Sequence, residues 1–332
     1  MKSRPRFFLP NRLSFLRIVI GVTIPWLLLW PTENAAAQSA TFWWALGLFV
    51  FAAFTDFWDG WLARRYRLES PLGRILDPTA DKVFILATMA SFAVMGVYSY
   101  WYLVPLFFRE IAVTFCRITW LGQGLAIGAE RAGKLKLGCQ VASVLFSFLY
   151  LIFPTAVTSY LNHALIFLAL FMTLFSGYFF FRRNRPLLGD KKFLRSVAGL
   201  GVGHLRPFPG TYGTLVGWVL VPLISHDLLL HLVVLASFLV LAYVTIPRLG
   251  LAPEEDPVEI VIDETCGVLL AFVGIPLEWQ TLLTGFLFFR IFDVTKVFPI
   301  GWLEKKGGVH GIMLDDLGAG GYTWLVLRIF LR

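Results

Sequence analysis

The sequence has few charged residues and very few cysteines. Only 15% of its 332 residues are Asp, Glu, Lys or Arg, whereas 58% are hydrophobic, and a soluble domain has about 25% charged residues. This shortage leaves too little polar surface to cover a water-exposed globule, and it excludes a soluble fold. Cys116, Cys139 and Cys266 form no CxxC pair, which argues against a disulfide framework or a thiolate zinc site.

The hydrophobic residues form long apolar runs that are separated by short loops. Strands of a membrane barrel would alternate polar and apolar residues, so these runs predict an all-α polytopic membrane protein. In the first half of the chain we predict six membrane-spanning helices. They lie at about 13–30, 41–62, 80–98, 101–121, 138–153 and 160–181.

The charge distribution indicates which side of the membrane each loop faces. The chain carries a net charge of +8, and its basic residues cluster beside the apolar segments. This pattern fits an anionic lipid surface and argues against nucleic acid as a partner. Lys and Arg are concentrated in the N-terminus and in the segments 63–79 and 128–137, so we expect these parts to be cytoplasmic.

A basic segment at 182–195 divides the chain. It mixes six Lys and Arg residues with Asn, Pro and Gly, which predicts a cytoplasmic linker between a first domain at 1–181 and a second at 196–332. The second domain has apolar stretches near 212–225, 228–246, 264–276, 281–292 and 317–331. Several are shorter than the ~20 residues needed to cross a bilayer, so we predict a helical membrane domain of about four to five segments.

The strongest motif in the first domain is a group of four aspartates. Asp56 and Asp59 are three residues apart, and Asp77 and Asp81 are four apart, so each pair lies on one face of a helix. Asp77 followed by Pro78 also predicts an N-cap and the first helical residue. Four carboxylates facing lipid would cost on the order of 10 kcal/mol. We therefore expect them to bind divalent metal, and two ions could bridge a diphosphate.

The full pattern D-x2-D-G-x2-A-R-x8-G-x3-D-x3-D, from Asp56 to Asp81, resembles the signature of CDP-alcohol phosphotransferases. The resemblance covers about residues 5–181 and implies a six-helix bundle. It implies that Asp56, Asp59 and Asp77 bind metal, and that Asp81 binds metal or acts as general base on the acceptor hydroxyl. The residues that it assigns to CDP binding are Asp56, Gly60, Ala63, Arg64 and Gly73.

The acceptor is indicated by further short matches. The LPNRLSFLR, DPxADK and GKLK segments and the pair Arg109–Glu110 resemble the phosphatidylglycerophosphate synthase branch, although Leu137 stands where a Thr is expected. An acceptor with its own phosphate needs additional cations. We expect Arg117, Lys134 and Lys136 to bind that phosphate, which makes glycerol 3-phosphate the predicted acceptor and CDP-diacylglycerol the donor.

The second domain has its own carboxylates, in the DPVEIVIDE, FRIFDVTK and HGIMLDD segments. Ionisable residues beside short apolar segments are functional candidates. Together with HLRPFPGTYGT, these blocks resemble phosphatidylglycerophosphatase A over about 195–332, although Val297 stands where a Pro is expected. The resemblance implies a Mg²⁺-dependent phosphomonoesterase, with Mn²⁺ as an alternative ion, in which metal-activated water attacks the phosphate. We expect metal binding by Asp263, Glu264, Asp293, Asp315 and Asp316, catalysis by Asp263 and Asp316, and phosphate binding by Arg290 and Lys296.

These patterns together predict a bifunctional fusion enzyme of a bacterial inner membrane, with its active sites facing the cytoplasm. The first domain would make phosphatidylglycerophosphate and the second would hydrolyse it to phosphatidylglycerol. The resemblance to the first family also suggests a homodimer. Two alternatives remain open: a phosphotransferase that uses another acceptor and carries a non-catalytic second domain, and a membrane transporter. The transporter is disfavoured because the acidic motifs lie at the cytoplasmic ends of the predicted helices rather than in mid-membrane.

Overall fold

The computed structural model describes the backbone at 9–30, 34–66, 73–125, 131–252 and 257–330, and the side chains at 15–30, 34, 37–55, 82–125, 132–252 and 257–330. All regular secondary structure within these ranges is helical, which confirms the predicted all-α class. The chain forms two compact units, Met1–Asn184 and Arg185–Arg332. The finer division into 1–181, 182–195 and 196–332 stays a prediction.

The described part of the first unit has six long helices, as predicted. They are α1 (Leu9–Leu29), α2 (Ala35–Tyr66), α3 (Gly73–Val94), α4 (Leu103–Gly122), α5 (Arg131–Ile152) and α6 (Ala156–Arg183), with a 3₁₀ turn at Tyr100–Tyr102 before α4. The predicted start of the third helix is wrong. Because the chain is already helical from Gly73, Asp77 and Pro78 lie within α3 and not at its N-cap.

Aromatic side chains fill the centre of the first unit. Phe49, Phe92 and Phe148 are fully buried. The ring centroids of Phe49 and Phe84 lie 4.8 Å apart in a stacked pair, and Phe92 meets Phe148 edge to face at 4.9 Å. Each such pair stabilises the packing by about 0.5–1.5 kcal/mol beyond the burial of its area. A Cβ at Gly21 would lie only 3.0 Å from the Cα of Phe84, so glycine allows α1 to approach α3 closely.

Among the described residues, four helical segments are long and apolar enough to cross a membrane. They are Ala37–Thr55, Ala132–Ile152, Ala156–Arg183 and Leu228–Leu249. Shorter apolar helical segments lie at Phe15–Leu29, Lys82–Val94 and Pro209–Ile224. Many large apolar side chains on these helices are exposed, for example Trp44, Phe167 and Val240. Lipid covers such surfaces in a membrane protein, and this agrees with the class predicted from composition.

The second unit consists of three short and five longer helices in its described residues. They are α7 (Arg185–Leu188), α8 (Lys191–Ala198), α9 (Pro209–Ile224), α10 (Leu228–Leu249), α11 (Ile262–Ala271), α12 (Trp279–Thr295), α13 (Ile300–Glu304) and α14 (Gly308–Phe330). The segment predicted as a linker is therefore largely helical. Its Asp190 caps α8 by accepting a 3.1 Å hydrogen bond from the Phe193 amide. The HGIMLDD segment also lies inside a helix, because α14 begins at Gly308.

Glycines set the spacing between α11 and its neighbours. A Cβ at Gly320 of α14 would lie 2.2 Å from the backbone carbonyl oxygen of Gly267. A Cβ at Gly267 would lie 2.5 Å from the backbone carbonyl oxygen of Asp316. On the other side of α11, a Cβ at Gly213 of α9 would lie 2.6 Å from the Cβ of Val261. Only a residue without a side chain permits such close backbone contact. The glycines therefore bring three helices together around the start of α11.

We expect Gly320→Ala to destabilise the second unit by about 1–3 kcal/mol, because the added methyl group must displace the backbone of α11. Gly321→Ala is the matched control, since a Cβ there meets no described atom within 4 Å and alanine favours a helix. Thermal unfolding of the purified protein in detergent, followed by circular dichroism, measures the difference. Equal melting temperatures for the two variants would contradict the close contact between α11 and α14.

Candidate functional site

The second unit contains a cavity of about 340 Å³ with many charged residues in its wall. They come from the first turn of α11, from the last two turns of α12 and the C-cap residue that follows it, and from the third turn of α14. The charged residues that line the cavity are Asp263, Glu264, Arg290, Asp293, Lys296, Asp315 and Asp316. All seven were predicted as site residues from the sequence. The structure therefore brings together segments that are far apart in the chain.

Three of the carboxylates lie close enough to share one cation. Asp263, Glu264 and Asp316 each offer one oxygen atom, and these oxygens lie within 4.8 Å of one another. Asp263 and Asp316 are only 5% exposed. The Glu264 Oε2 and Asp316 Oδ1 atoms are buried, and neither has a hydrogen-bond partner among the described residues. Buried acceptors without donors are costly, and hard oxygen ligands of this kind fit a divalent ion such as Mg²⁺.

The electrostatics of Glu264 reflect this crowding. Burial raises the pKa of its carboxyl to about 8, and the nearby charges of Asp316 and Asp293 act in the same direction. Five carboxylates line the cavity against two cationic side chains. A divalent cation would supply the charge that this excess requires, so the residues fit the metal that the family resemblance implies.

Both cations of the cavity are paired with carboxylates. The Arg290 guanidinium donates to Asp293 Oδ2 at 2.6 Å and to Thr214 Oγ1 at 3.4 Å. The Lys296 ammonium pairs with Asp315 and with Glu304, at 3.3 Å. Burial alone would lower the pKa of Lys296, but the hydrogen bond from Lys296 to Asp315 and the charges of Asp315 and Glu304 raise it overall. Lys296 therefore stays charged at neutral pH and can bind a phosphate oxygen.

Two glycines in the PGTYG segment leave room for the Glu264 carboxylate, although no role for them was predicted from the sequence. A Cβ at Gly210 would lie 2.3 Å from Glu264 Oε1, and a Cβ at Gly213 would lie 3.2 Å from Glu264 Oε2. The two glycines are three residues apart in the first turns of α9, so they share one face. Thr265 adds a bond between the helices by donating to the Gly213 carbonyl at 2.9 Å. The glycine spacing is the signal that could have identified them.

Other acidic and basic residues of the second unit lie elsewhere. Asp256 lies outside the described residues. Glu259 is exposed, and its carbonyl oxygen occupies the position of a Cβ at Gly203. His310 is exposed and stacks near Tyr243, with its ring centroid 5.6 Å from that of the tyrosine. Neither Glu259 nor His310 lines the cavity.

The aspartate motif of the first unit falls on two consecutive helices. Asp56, Asp59, Gly60, Ala63 and Arg64 lie in the last third of α2, and Gly73, Asp77 and Asp81 lie in the first turns of α3. The side chains from 56 to 81 lie outside the described residues. The metal, base and CDP roles of these residues therefore stay predictions.

The predicted acceptor-phosphate residues lie on α4 and α5. Lys136 is buried and forms an ion pair with Glu110, whereas Lys134 is exposed. The Arg117 guanidinium lies over the ring of Phe180, 5.6 Å from its centroid. Glu110 also pairs with Arg109 at 3.1 Å. Lys136 is thus paired with the buried carboxylate of Glu110, which was noted in the sequence only as part of the Arg109–Glu110 match.

Lys82 and Ser176 extend this charged network. The Lys82 ammonium donates to Thr114 Oγ1 and lies 4.0 Å from Glu110 Oε2. Arg109 donates to Ser176 Oγ at 2.9 Å. Among the described side chains, one buried carboxylate is therefore surrounded by three cationic groups, an arrangement that can accommodate a further anion.

Comparison with known proteins places each unit in a family. Residues 7–175 match the model of the CDP-alcohol phosphatidyltransferase family, and residues 194–331 match that of phosphatidylglycerophosphatase A. The chain is 28% identical over 184 residues to the CDP-diacylglycerol–glycerol-3-phosphate 3-phosphatidyltransferase of Bacillus subtilis (strain 168), covering 54% of this chain and 95% of that protein. These matches confirm both resemblances seen in the sequence.

Two further relatives support the same division. The CDP-diacylglycerol–glycerol-3-phosphate 3-phosphatidyltransferase of Salmonella choleraesuis (strain SC-B67) is 30% identical over 179 residues, which cover 52% of this chain and 91% of that protein. The phosphatidylglycerophosphatase A of Haemophilus influenzae is 36% identical over 137 residues, which cover 40% of this chain and 83% of that protein. The synthase-like and phosphatase-like parts therefore follow one another in a single chain.

We expect Gly210→Ala to weaken divalent cation binding by about tenfold, because its methyl group would displace the Glu264 carboxylate from the cluster. Titration of Mn²⁺ into the detergent-purified protein, followed by electron paramagnetic resonance, measures the affinity of the second unit once Asp56, Asp59, Asp77 and Asp81 of the first unit are all replaced by Asn in every sample. Gly321→Ala again serves as control. An unchanged affinity in Gly210→Ala would show that Glu264 is not a ligand.

Proposed function

Because the chain belongs to the CDP-alcohol phosphatidyltransferase family in its first unit and to the phosphatidylglycerophosphatase A family in its second, we propose that it catalyses two consecutive steps of phospholipid synthesis. The first step transfers the phosphatidyl group of CDP-diacylglycerol to glycerol 3-phosphate and releases CMP. The second hydrolyses the resulting phosphatidylglycerophosphate to phosphatidylglycerol and phosphate. The proposal rests chiefly on one observation, the cavity in which a buried carboxylate cluster faces two cations.

The cavity has the groups that a phosphomonoesterase needs. Asp263, Glu264 and Asp316 would hold a divalent ion, and Arg290 and Lys296 would bind the oxygens of the phosphate. Such an ion supplies Lewis-acid activation of water and neutralises phosphate charge. Asp293 and Asp315, which we also predicted as metal ligands, orient the two cations through the ion pairs described above.

Proton transfer in the second unit would fall to its carboxylates. Cys266 is fully buried within α11, so it is not placed to attack a phosphate that enters the cavity. We assign the catalytic roles to Asp263 and Asp316, as the sequence predicted. Either aspartate would accept the proton of the attacking water through the carboxylate oxygen that does not hold the ion.

In the first unit, the proposed roles follow the family motif. Asp56, Asp59 and Asp77 would hold metal, and Asp81 would bind metal or remove the proton of the acceptor hydroxyl. The remaining motif residues, Gly60, Ala63, Arg64 and Gly73, would contact CDP. Arg117, Lys134 and Lys136 would bind the phosphate of the acceptor. The buried pair between Lys136 and Glu110 supports this role because it orients one of these cations.

The nature of the two units favours glycerol 3-phosphate over other acceptors. A phosphatase is useful downstream only if the first product keeps a terminal phosphate, and phosphatidylglycerophosphate does so. The alternative of a non-catalytic second domain is disfavoured because a scaffold has no need of orphaned buried carboxylates. We further propose that both sites face the cytoplasm of a bacterial inner membrane, in agreement with the positive charge of the loops beside them. The homodimer stays a prediction from the resemblance.

The first test separates phosphatidyl transfer in the first unit from hydrolysis in the second. Asp77→Asn and Asp81→Asn keep the side-chain shape but remove a charge that metal binding or proton transfer requires, so CMP release should fall at least ~10²-fold. Hydrolysis of supplied phosphatidylglycerophosphate should persist, which also shows that the variants are folded. Substantial CMP release by both variants would refute the assigned roles.

The second test isolates hydrolysis. Replacing Asp263, Asp315 or Asp316 by Asn should leave synthesis intact while hydrolysis fails, so protein given CDP-diacylglycerol, labelled glycerol 3-phosphate and Mg²⁺ should accumulate phosphatidylglycerophosphate. Glu278→Gln is the control, because Glu278 is exposed at the opposite end of α12 from the cavity. Thin-layer chromatography of the labelled lipids identifies the product. Accumulation of the intermediate by the unsubstituted protein would favour the scaffold instead.

A further inference from the structure

The cavity of the second unit is lined by two chemically different sets of residues. One set contains the charged residues described above. The other is apolar and comes from the segment that leads into α9 and from the segment before α11. Its residues are Pro207, Phe208, Pro209, Pro257, Val258 and Ile260. A single cavity thus offers both charged groups and hydrocarbon.

Two of the apolar residues are far more exposed than the carboxylate cluster. Asp263 and Asp316 are 5% exposed, whereas Phe208 is 66% exposed and Val258 is 72% exposed. The carboxylate cluster therefore lies at the floor of the cavity, and Phe208 and Val258 stand at its mouth, the reverse of an ordinary protein surface. Lipid contact along a spanning helix does not account for either residue. Phe208 precedes α9, and Val258 lies in a turn between α10 and α11.

The size of the cavity limits what can enter it. Its volume of about 340 Å³ lies near the lower end of the ~300–1,000 Å³ typical of small-molecule sites. A phosphorylated glycerol headgroup fits this space, but the two acyl chains of a membrane lipid do not. The acyl chains of a lipid bound by its phosphate must therefore leave through the mouth, past Phe208 and Val258.

We propose that Phe208 and Val258 form a hydrophobic rim that contacts the acyl-chain end of the lipid phosphomonoester and selects it over water-soluble phosphomonoesters. This inference rests on the proposed phosphatase function of the second unit. The charged floor alone would bind any accessible phosphomonoester, because it recognises the phosphate group. Hydrophobic contact with the rim would add affinity that only an acylated substrate can obtain.

The test compares two substrates that share one headgroup: dioleoyl phosphatidylglycerophosphate in mixed micelles and its deacylated, water-soluble counterpart. Phosphate release by the full-length protein gives kcat/KM for each, and their ratio is the acyl preference. Phe208→Ser and Val258→Ser should each reduce this preference by about tenfold or more, since burial of a side chain of this kind is worth at least that factor. Hydrolysis of the deacylated compound should change less than about twofold, which shows that the site is intact.

Two further variants sharpen the result. Phe208→Leu retains a large apolar group and should keep the preference. Trp279→Ser removes an aromatic side chain of similar exposure, 69%, at the far end of α12, and should also leave the preference unchanged. An unaltered preference in Phe208→Ser, or an equal loss on both substrates, would overturn the rim while the phosphatase function stands. Failure of the unsubstituted protein to release phosphate from the lipid would instead refute the phosphatase function, and the rim with it.

Discussion

The second unit is organised around the repulsion between carboxylates that are forced together away from water. Asp263, Glu264 and Asp316 place oxygens within 4.8 Å of one another, and like charges at such distances in a protein interior oppose one another by several kcal/mol. A fold relieves such repulsion by protonating a carboxylate or by binding something positive. The ion pairs of Arg290 and Lys296 hold neighbouring carboxylates and leave the cluster itself open. In the proposed function, a divalent cation would supply the positive charge that the cluster lacks.

The close approach of backbones makes that crowding possible. Gly267 and Gly320 let α11 and α14 touch, and Gly210 and Gly213 let α9 lie against Glu264. In each case a side chain as small as alanine would enter the space of a neighbouring atom. In the proposed function the acidic residues carry out the chemistry, but their geometry depends on residues with no functional groups at all. Loss of one such glycine would alter the site without removing any group that takes part in the reaction.

Much of this arrangement could be predicted from the sequence, for physical reasons that can be stated. Apolar runs identify helices because backbone groups in lipid must bond within their own segment, and short motifs identified Asp263, Glu264, Asp315 and Asp316. The starts of α3 and α14 were placed too late: the sequence predicted an N-cap at Asp77 and an apolar segment from about 317, whereas α3 begins at Gly73 and α14 at Gly308. The role of Gly210 was missed as well: its spacing from Gly213 indicates a shared helix face, but the spacing does not reveal the partner, because Glu264 is distant in sequence.

The short length of α11 imposes a demand of its own. Its ten residues span about 15 Å, and Leu269 and Ala271 near its end are fully buried, so the carbonyl groups of its last turn lie away from water. Side chains from other helices replace the missing solvent. The His231 Nε2 atom lies 2.8 Å from the oxygen of Leu269 in the last turn, and the Trp324 indole donates to the oxygen of Val273, two residues beyond the helix, at 2.9 Å. The end of this short helix is therefore covered by an imidazole on α10 and an indole on α14, neither of which lines the cavity.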